Sequence, residues 1–248
     1  METTFSYSPS QWVPFRDKAV LDRVRKIRKE ELTQHPNPKF KIRIVKDDEA
    51  EFIFVSDMFY RIKKAADADE KVVLILPNPV PSYRKVAYLI NLFQVNCKNL
   101  YTFAMDEYAD ENGNLAAETW RQGFTYAMMN NFYYQIDEKL RPPRSQFQAP
   151  NNKNISDYGK MIADRGGADM CYSGPGWTGH LAFIEPDAPE FDAPLEEWKK
   201  MGPRIVTLSP FTLAQNSLHG SFGMSGDLAI VPPKAATIGP AEVIASKA

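Results

Sequence analysis

From residue 40 onward the chain alternates between two hydrophobic rhythms, and their order predicts an architecture. Lys41-Ile42-Arg43-Ile44-Val45 has the period of two of a half-buried strand, and residues 47–66 change to a helical period. Val72-Val73-Leu74-Ile75-Leu76 is a continuous apolar run, the mark of a parallel strand buried on both faces. Residues 82–94 predict a helix with Val86, Leu89, Ile90 and Phe93 on one side. Residues 100–105 predict a strand and residues 116–135 a long, aromatic-rich helix. Three short strands are predicted at residues 169–172, 205–208 and 235–238. Strands alternating with helices of this length build right-handed βαβ units. The expected fold class is therefore α/β, a three-layer αβα sandwich around a mostly parallel, Rossmann-like sheet.

The N-terminal stretch stands apart from this pattern. Residues 5–15 read as an extended, aromatic arm, and residues 17–33 have apolar positions at helical spacing opposite a basic face. His35-Pro36-Asn37-Pro38 stops that helix. The expected division is an arm and helix over 1–38 and an α/β domain over 39–248. The helix either caps the domain or packs on a neighbouring subunit, so a homo-oligomer is allowed. Residues 141–153, rich in proline and amides, read as a loop within the domain because the βα pattern resumes after them.

Charge narrows the partners. Thirty basic and 31 acidic residues leave a net charge of −1, which gives no electrostatic reason to expect nucleic acid or an anionic membrane. No apolar run approaches a transmembrane span, and the polar residues after Met1 leave no secretory core, so a soluble, cytoplasmic protein is expected. Cys97 and Cys171 are isolated in apolar surroundings and read as reduced core residues. His35, His180 and His219 lack zinc-like spacing; no metal and no organic cofactor are expected. The partner left is a small molecule.

In parallel α/β sheets ligands bind beyond the carboxyl ends of the strands, which directs attention to residues 77–82, 106–114, 173–186 and 209–220. Met105-Asp106-Glu107-Tyr108 puts two adjacent carboxylates at such an end. Mutual repulsion in a dry cleft raises a carboxyl pKa, which suits a base acting on a carbon acid. Ser173-Gly174-Pro175-Gly176-Trp177-Thr178-Gly179-His180 lets backbone approach a ligand closely, and Glu185 follows the histidine by five residues. Each motif alone is common, since acidic residues often open loops and a lone histidine is often structural.

Together the two motifs are specific. Met-Asp-Glu-Tyr after one strand, then Gly-x-Gly-x-x-Gly-His-Leu-Ala-Phe-Ile-Glu-Pro after a later one, resembles the glucosamine-6-phosphate deaminase family. Asn130-Asn131-Phe132-Tyr133, Arg204-Ile205-Val206-Thr207-Leu208 and Asn216-Ser217 extend the resemblance from about Lys41 to the C-terminus. The resemblance implies base-catalysed aldose–ketose isomerisation of a sugar or sugar phosphate, coupled to loss of ammonia. It implies Asp106 as the base between C2 and C1, Glu107 beside it, His180 assisting ring opening and Glu185 orienting or charging His180. Substrate contacts are expected from Asn78, Ser82, Gly174, Gly176, Thr178 and Gly179. The sister lactonases of 6-phosphogluconate share the fold and the histidine turn, so a lactonase-type hydrolase is an alternative. A non-catalytic sugar-binding protein on the same scaffold is another.

The chain also departs from the family. The phosphate loop Leu-Pro-Thr-Gly-x-Thr/Ser-Pro is replaced by Leu76-Pro77-Asn78-Pro79-Val80-Pro81-Ser82, whose prolines have no N–H to donate. Each donor lost to a dianion costs about 1.5–3 kcal/mol. Ser82, Tyr83, Arg84 and Lys85 are the candidates to compensate. Thr178 stands where the family places an aspartate beside the histidine, and His219 stands near a phosphate-gripping arginine position. The family continues past the position of Thr237-Ile238-Gly239 with a further strand and helix, so either the C-terminal part is missing from this chain or this branch is shorter. The expected protein is a divergent member with altered phosphate recognition.

Overall fold

The computed structural model describes Phe5 and residues 7–248, and the chain divides into two compact units after Glu51. In the first unit, helix α1 (Lys18–Val24) starts at Asp17, whose carboxylate accepts the Val20 N–H at 3.0 Å. A single 3-10 turn (Lys29–Glu31) follows. The expected helix over 17–33 is thus interrupted, and the expected strand at residues 41–45 is irregular chain. The physical reason is the same for both. No described residue of this unit is buried, so neither apolar pattern has a surface to pack on.

Helix α2 (Asp47–Asp67) runs through the division into the second unit. It is followed by β1 (Val72–Leu76), α3 (Tyr83–Leu92), β2 (Leu100–Ala104), β3 (Asp106–Ala109), α4 (Phe124–Asn131), β4 (Phe147–Gln148) and α5 (Tyr158–Ala163). The chain continues with β5 (Met170–Cys171), α6 (Leu195–Trp198), β6 (Arg204–Thr207), α7 (Pro210–Ser217), β7 (Lys234–Thr237) and α8 (Pro240–Ile244). No helix among the described residues is long and apolar enough to cross a membrane.

One sheet, ordered β4-β2-β1-β5, is parallel throughout. All five residues of β1 are buried, as its unbroken apolar run requires, and they alternate between two clusters. Val72, Leu74 and Leu76 join Val55, Met58 and Ile62 of α2 and Tyr83, Val86 and Ile90 of α3. Val73 and Ile75 join Phe103 with Tyr158 and Ile162 of α5. Both faces of the central strand are therefore covered, the α/β arrangement that the sequence pattern predicts.

The second sheet, ordered β3-β7-β6, is antiparallel. This corrects the expectation that the strands at 205–208 and 235–238 extend the parallel sheet. The chain passes between the sheets at Met105, whose N–H bonds the Leu76 carbonyl and whose carbonyl accepts the Ile238 N–H. Asp106 is the next residue. The long helix expected over 116–135 is also shorter. Residues 108–116 fold back on themselves through the Ala116 N–H to Tyr108 carbonyl bond, and Gly123, in extended conformation, caps a helix that begins only at Phe124.

Candidate active site

Asp106 and Glu107 are neighbours on β3, so their side chains leave opposite faces of the strand. The Glu107 carboxylate is completely buried, with Oε1 accepting the N–H groups of Tyr108 (2.8 Å) and Phe124 (3.1 Å) and Oε2 accepting that of Thr125 (2.7 Å). The donors from Phe124 and Thr125 are the otherwise unpaired amides of the first turn of α4, where the helix dipole favours an anion. Gly123 suits this close approach, because a Cβ at this residue would lie 3.2–3.3 Å from both carboxylate oxygens and force them to shift slightly. Burial pushes the Glu107 pKa up, and these hydrogen bonds oppose the shift. Glu107 is committed to the fold and lines no part of the cavity on the other face.

That cavity, of about 210 Å³, is lined by Pro77, Asn78, Met105, Asp106, Phe124, residues 173–176, His180, Ala182, Phe183, Gln215, Asn216 and His219. All four segments that follow strands contribute to it. Asp106 is 6 % exposed and its Oδ1 has no hydrogen-bond partner. Burial first, and then the charge of Glu107, hold its carboxyl well above the usual aspartate range. Two buried tyrosines fix the strand ends that frame it. The Tyr83 hydroxyl donates to the Pro77 carbonyl at 2.6 Å, and that of Tyr158 donates to the Ala104 carbonyl at 2.8 Å.

The glycine-rich turn brings His180 to the same cavity. The Gly176 N–H bonds the His180 carbonyl, and the ring lies so close that a Cβ on Gly176 would fall 2.1 Å from Nε2. Only glycine fits. Nδ1 lies 2.8 Å from the Thr178 hydroxyl, which sets the ring's orientation. Burial lowers the pKa of His180, and the negative charge of Glu185 partly opposes this. Glu185 itself is buried elsewhere: Oε1 accepts the Ser209 N–H at 3.3 Å, Oε2 has no partner, and the residue lines a separate cavity together with Gly179. Its influence on His180 is through space, and Thr178 makes the direct contact.

The substrate-binding residues expected from sequence therefore fall into three groups. Asn78, Gly174 and Gly176 line the cavity with Asp106 and His180. Thr178 stands behind the histidine. Ser82, at the N-cap of α3, and Gly179, at φ +78°, line neither this cavity nor its neighbour. Gln215 was not anticipated. Its Oε1 accepts the Trp177 N–H at 2.7 Å, tying the turn to α7, and an amide inside a helix gives no sequence signal of that role. Among the described residues no group of three His, Cys, Asp or Glu side chains is arranged to hold a metal ion.

A second cavity of about 1040 Å³ adjoins the first and shares Pro77, Asn78, Ser173, Gly174 and His219 with it. Unpartnered polar atoms mark the shared wall, namely Asn78 Oδ1 and His219 Nδ1, with Ser221 Oγ further along the larger cavity. The Asn78–Pro79 peptide in this wall is cis.

A parallel α/β sheet with a buried carboxylate and a histidine meeting beyond its strand ends defines a class of small-molecule site. Comparison with known proteins specifies it. No family model matches the chain. It is 28 % identical over 186 residues to glucosamine-6-phosphate deaminase of Caenorhabditis elegans, covering 72 % of this chain and 62 % of the relative. It is 28 % identical over 197 residues to that of Fusobacterium nucleatum, covering 76 % and 65 %. With that of Aliivibrio salmonicida it shares 31 % over 179 residues, covering 69 % and 60 %. The matched region thus spans less than two thirds of these relatives. Among solved structures, a monomeric glucosamine-6-phosphate deaminase superposes with a TM-score of 0.66 at 22 % identity, covering 83 % of this chain and 78 % of the other. The 6-phosphogluconolactonase of Thermotoga maritima superposes at 0.53 and 15 % identity, covering 79 % and 76 %. The chain is thus similar in sequence to glucosamine-6-phosphate deaminases and has the fold of the solved one.

Proposed function

We propose that this protein catalyses aldose–ketose isomerisation of an amino sugar with loss of ammonia, using Asp106 as the base. The observation that carries the reading is the single small cavity in which an unpartnered, buried Asp106 carboxyl faces the same space as His180. His180, neutral at the start, takes the proton of the C1 hydroxyl and passes one to the ring oxygen as the sugar opens. Asp106 then takes the proton from C2 and returns it to C1 while a proton of the amine passes to the C1 oxygen, leaving a C2 imine that water converts to the ketose and free ammonia. Homology to deaminases supports this chemistry over other uses of the fold.

The residues at hand suit these roles. Asp106 lies in an apolar wall with Met105, Phe124 and Phe183, where a carboxylate is a stronger base than in water. Thr178 holds the ring of His180 without adding a negative charge, which suits a histidine that starts neutral and exchanges protons near neutral pH. Asn78, Gly174 and Gly176 form the wall against which the sugar lies. Ser82 and Gly179 have no part in this reading, and Glu107 and Glu185 act by holding α4 and by charge.

The test is solvent exchange at C2, followed by NMR in deuterated buffer over hexosamines and hexoses with and without a 6-phosphate. Exchange is expected with at least one amino sugar and should fall by about 10²- to 10⁴-fold in Asp106→Asn. Absence of exchange with every sugar would overturn the reading. Gluconolactone hydrolysis that needs His180 but survives Asp106→Asn would replace it with the hydrolase alternative.

A further inference from the structure

The larger cavity is a chamber without an obvious occupant in the reaction just described. Its volume of about 1040 Å³ is at the upper end of sites for drug-sized ligands, whereas the adjoining 210 Å³ cavity holds the acid–base groups. Its near wall is the segment after β1, where Pro79, Val80 and Pro81 present carbon and no proline N–H. Phe54, Tyr126 and Met224 continue the apolar lining on other sides.

On the shared wall the unpartnered side-chain atom of Asn78 has the wrong sign for a dianion. Asn78 directs its Nδ2 to the Leu76 carbonyl at 3.5 Å, which leaves the acceptor Oδ1 unpartnered beside both cavities. An acceptor in that place needs a hydroxyl or another donor on the ligand, and it repels phosphate oxygens. His219 is a half-buried basic group on this wall, and burial disfavours its charged form. Two guanidinium groups do line the chamber, those of Arg84 and Arg121, but both residues are exposed and Arg84 already donates from Nε to Asn131 Oδ1 at 3.0 Å.

We propose that the chamber receives an uncharged, largely apolar substituent on the sugar, carried at the end remote from C1 and C2, with a sugar hydroxyl donating to Asn78. This deepens the function proposed above and rests on its assignment of C1 and C2 to the smaller cavity. The substrate class is then an amino sugar bearing an alkyl- or aryl-type group where a phosphate would otherwise stand.

Binding is measured separately from turnover, by calorimetric titration of the whole chain with three probes: glucosamine, glucosamine 6-phosphate and the 6-O-benzyl ether of glucosamine. The benzyl ether is expected to bind at least tenfold more tightly than either of the others. Tyr126→Ser should weaken the ether by several-fold more than it weakens glucosamine. Met224→Ser, at an exposed position, should do the same and guards against a misfolded Tyr126 variant. Tightest binding of the 6-phosphate, equal binding of all three probes, or no binding of any would overturn the proposal. Tight binding of the ether with no C2 exchange would instead remove the catalytic reading and leave the chamber's specificity standing.

Discussion

Asp106 combines the position proposed for the base with a cost to the fold. It is buried beside a second carboxylate, and its Oδ1 has no partner to offset the loss of water. A carboxyl whose pKa is raised on folding makes the native state the stronger proton binder. Its contribution is therefore favourable below the usual aspartate range and is lost as pH rises toward and through the raised value. Asp106→Asn should accordingly stabilise the protein at neutral pH by about 1–2 kcal/mol while abolishing exchange, a trade often found at active sites. The gain should shrink as the pH falls to about 4, near the ordinary aspartate pKa. Urea denaturation at several pH values checks both the sign and the trend, and a gain that grew toward acid pH would contradict the burial argument. Thr178 allows a second residue-level expectation. Thr178→Val removes the 2.8 Å contact at Nδ1, and kcat should fall about tenfold or more with the fold retained. That Asp106 and His180 line one cavity was legible in the sequence, because both follow strand ends of a parallel sheet. The commitment of Glu107 to a helix was not legible, because nothing local says which of two adjacent carboxylates turns inward.

At the scale of elements, α4 depends on a residue from another element. Its first amides are satisfied by Glu107 on β3, not by a side chain of its own cap, since Gly123 has none. Glu107→Gln keeps the shape but replaces one acceptor oxygen with an NH₂ donor facing an N–H group. The expected loss is about 2–4 kcal/mol, from weakened charge-assisted bonds and an unsatisfied buried donor. Hydrogen exchange should localise it, with faster exchange at Phe124 and Thr125 than at the centre of β1. A uniform loss across the molecule would mean that the clamp is not specific to α4. This dependence also explains what the pattern of the chain could not announce. β1, β2 and α3 carry their own periodicity and were legible, because their apolar faces meet partners that the βαβ rule supplies. β3 reads Asp-Glu-Tyr-Ala, a poor strand by composition, and exists because β7 pairs with all four of its residues. The aromatic run at 116–135 looked like one helix, but half of it folds back on β3 before Gly123 lets a helix start. Conversely, residues 41–45 alternate well and form no strand, because alternation needs a neighbouring edge to become a ladder.

For the whole molecule, the placement of the core decides which parts of the chain are essential to folding. The four clusters of buried apolar side chains draw on residues from Val55 onward, and the parallel and antiparallel sheets both lie within residues 72–237. The site sits where the chain crosses between those sheets at Met105, so its geometry depends on both sheets, and no described residue N-terminal to Phe54 lines its cavities. The N-terminal unit exposes Phe5, Tyr7, Trp12, Val20, Val24 and Ile27, and none of its described residues is buried. Its apolar residues thus contribute little to the folding free energy, at about 25 cal/mol per Å² of surface actually removed from water. Removal of residues 1–38 should leave a single cooperative thermal transition with Tm changed by less than about 2 °C, below the shift of about 2–4 °C that follows from losing 1 kcal/mol in a domain of this size. The C2 exchange rate per folded molecule should be retained as well, because no residue of the cavity is lost. Calorimetry and the exchange assay on the same preparation separate the two statements. A large fall in Tm would assign the arm a share of the core, whereas an intact Tm with lost exchange would assign it to the site. Retention of both would leave the arm free for a role outside folding and chemistry, for which its exposed aromatic and aliphatic side chains provide the surface.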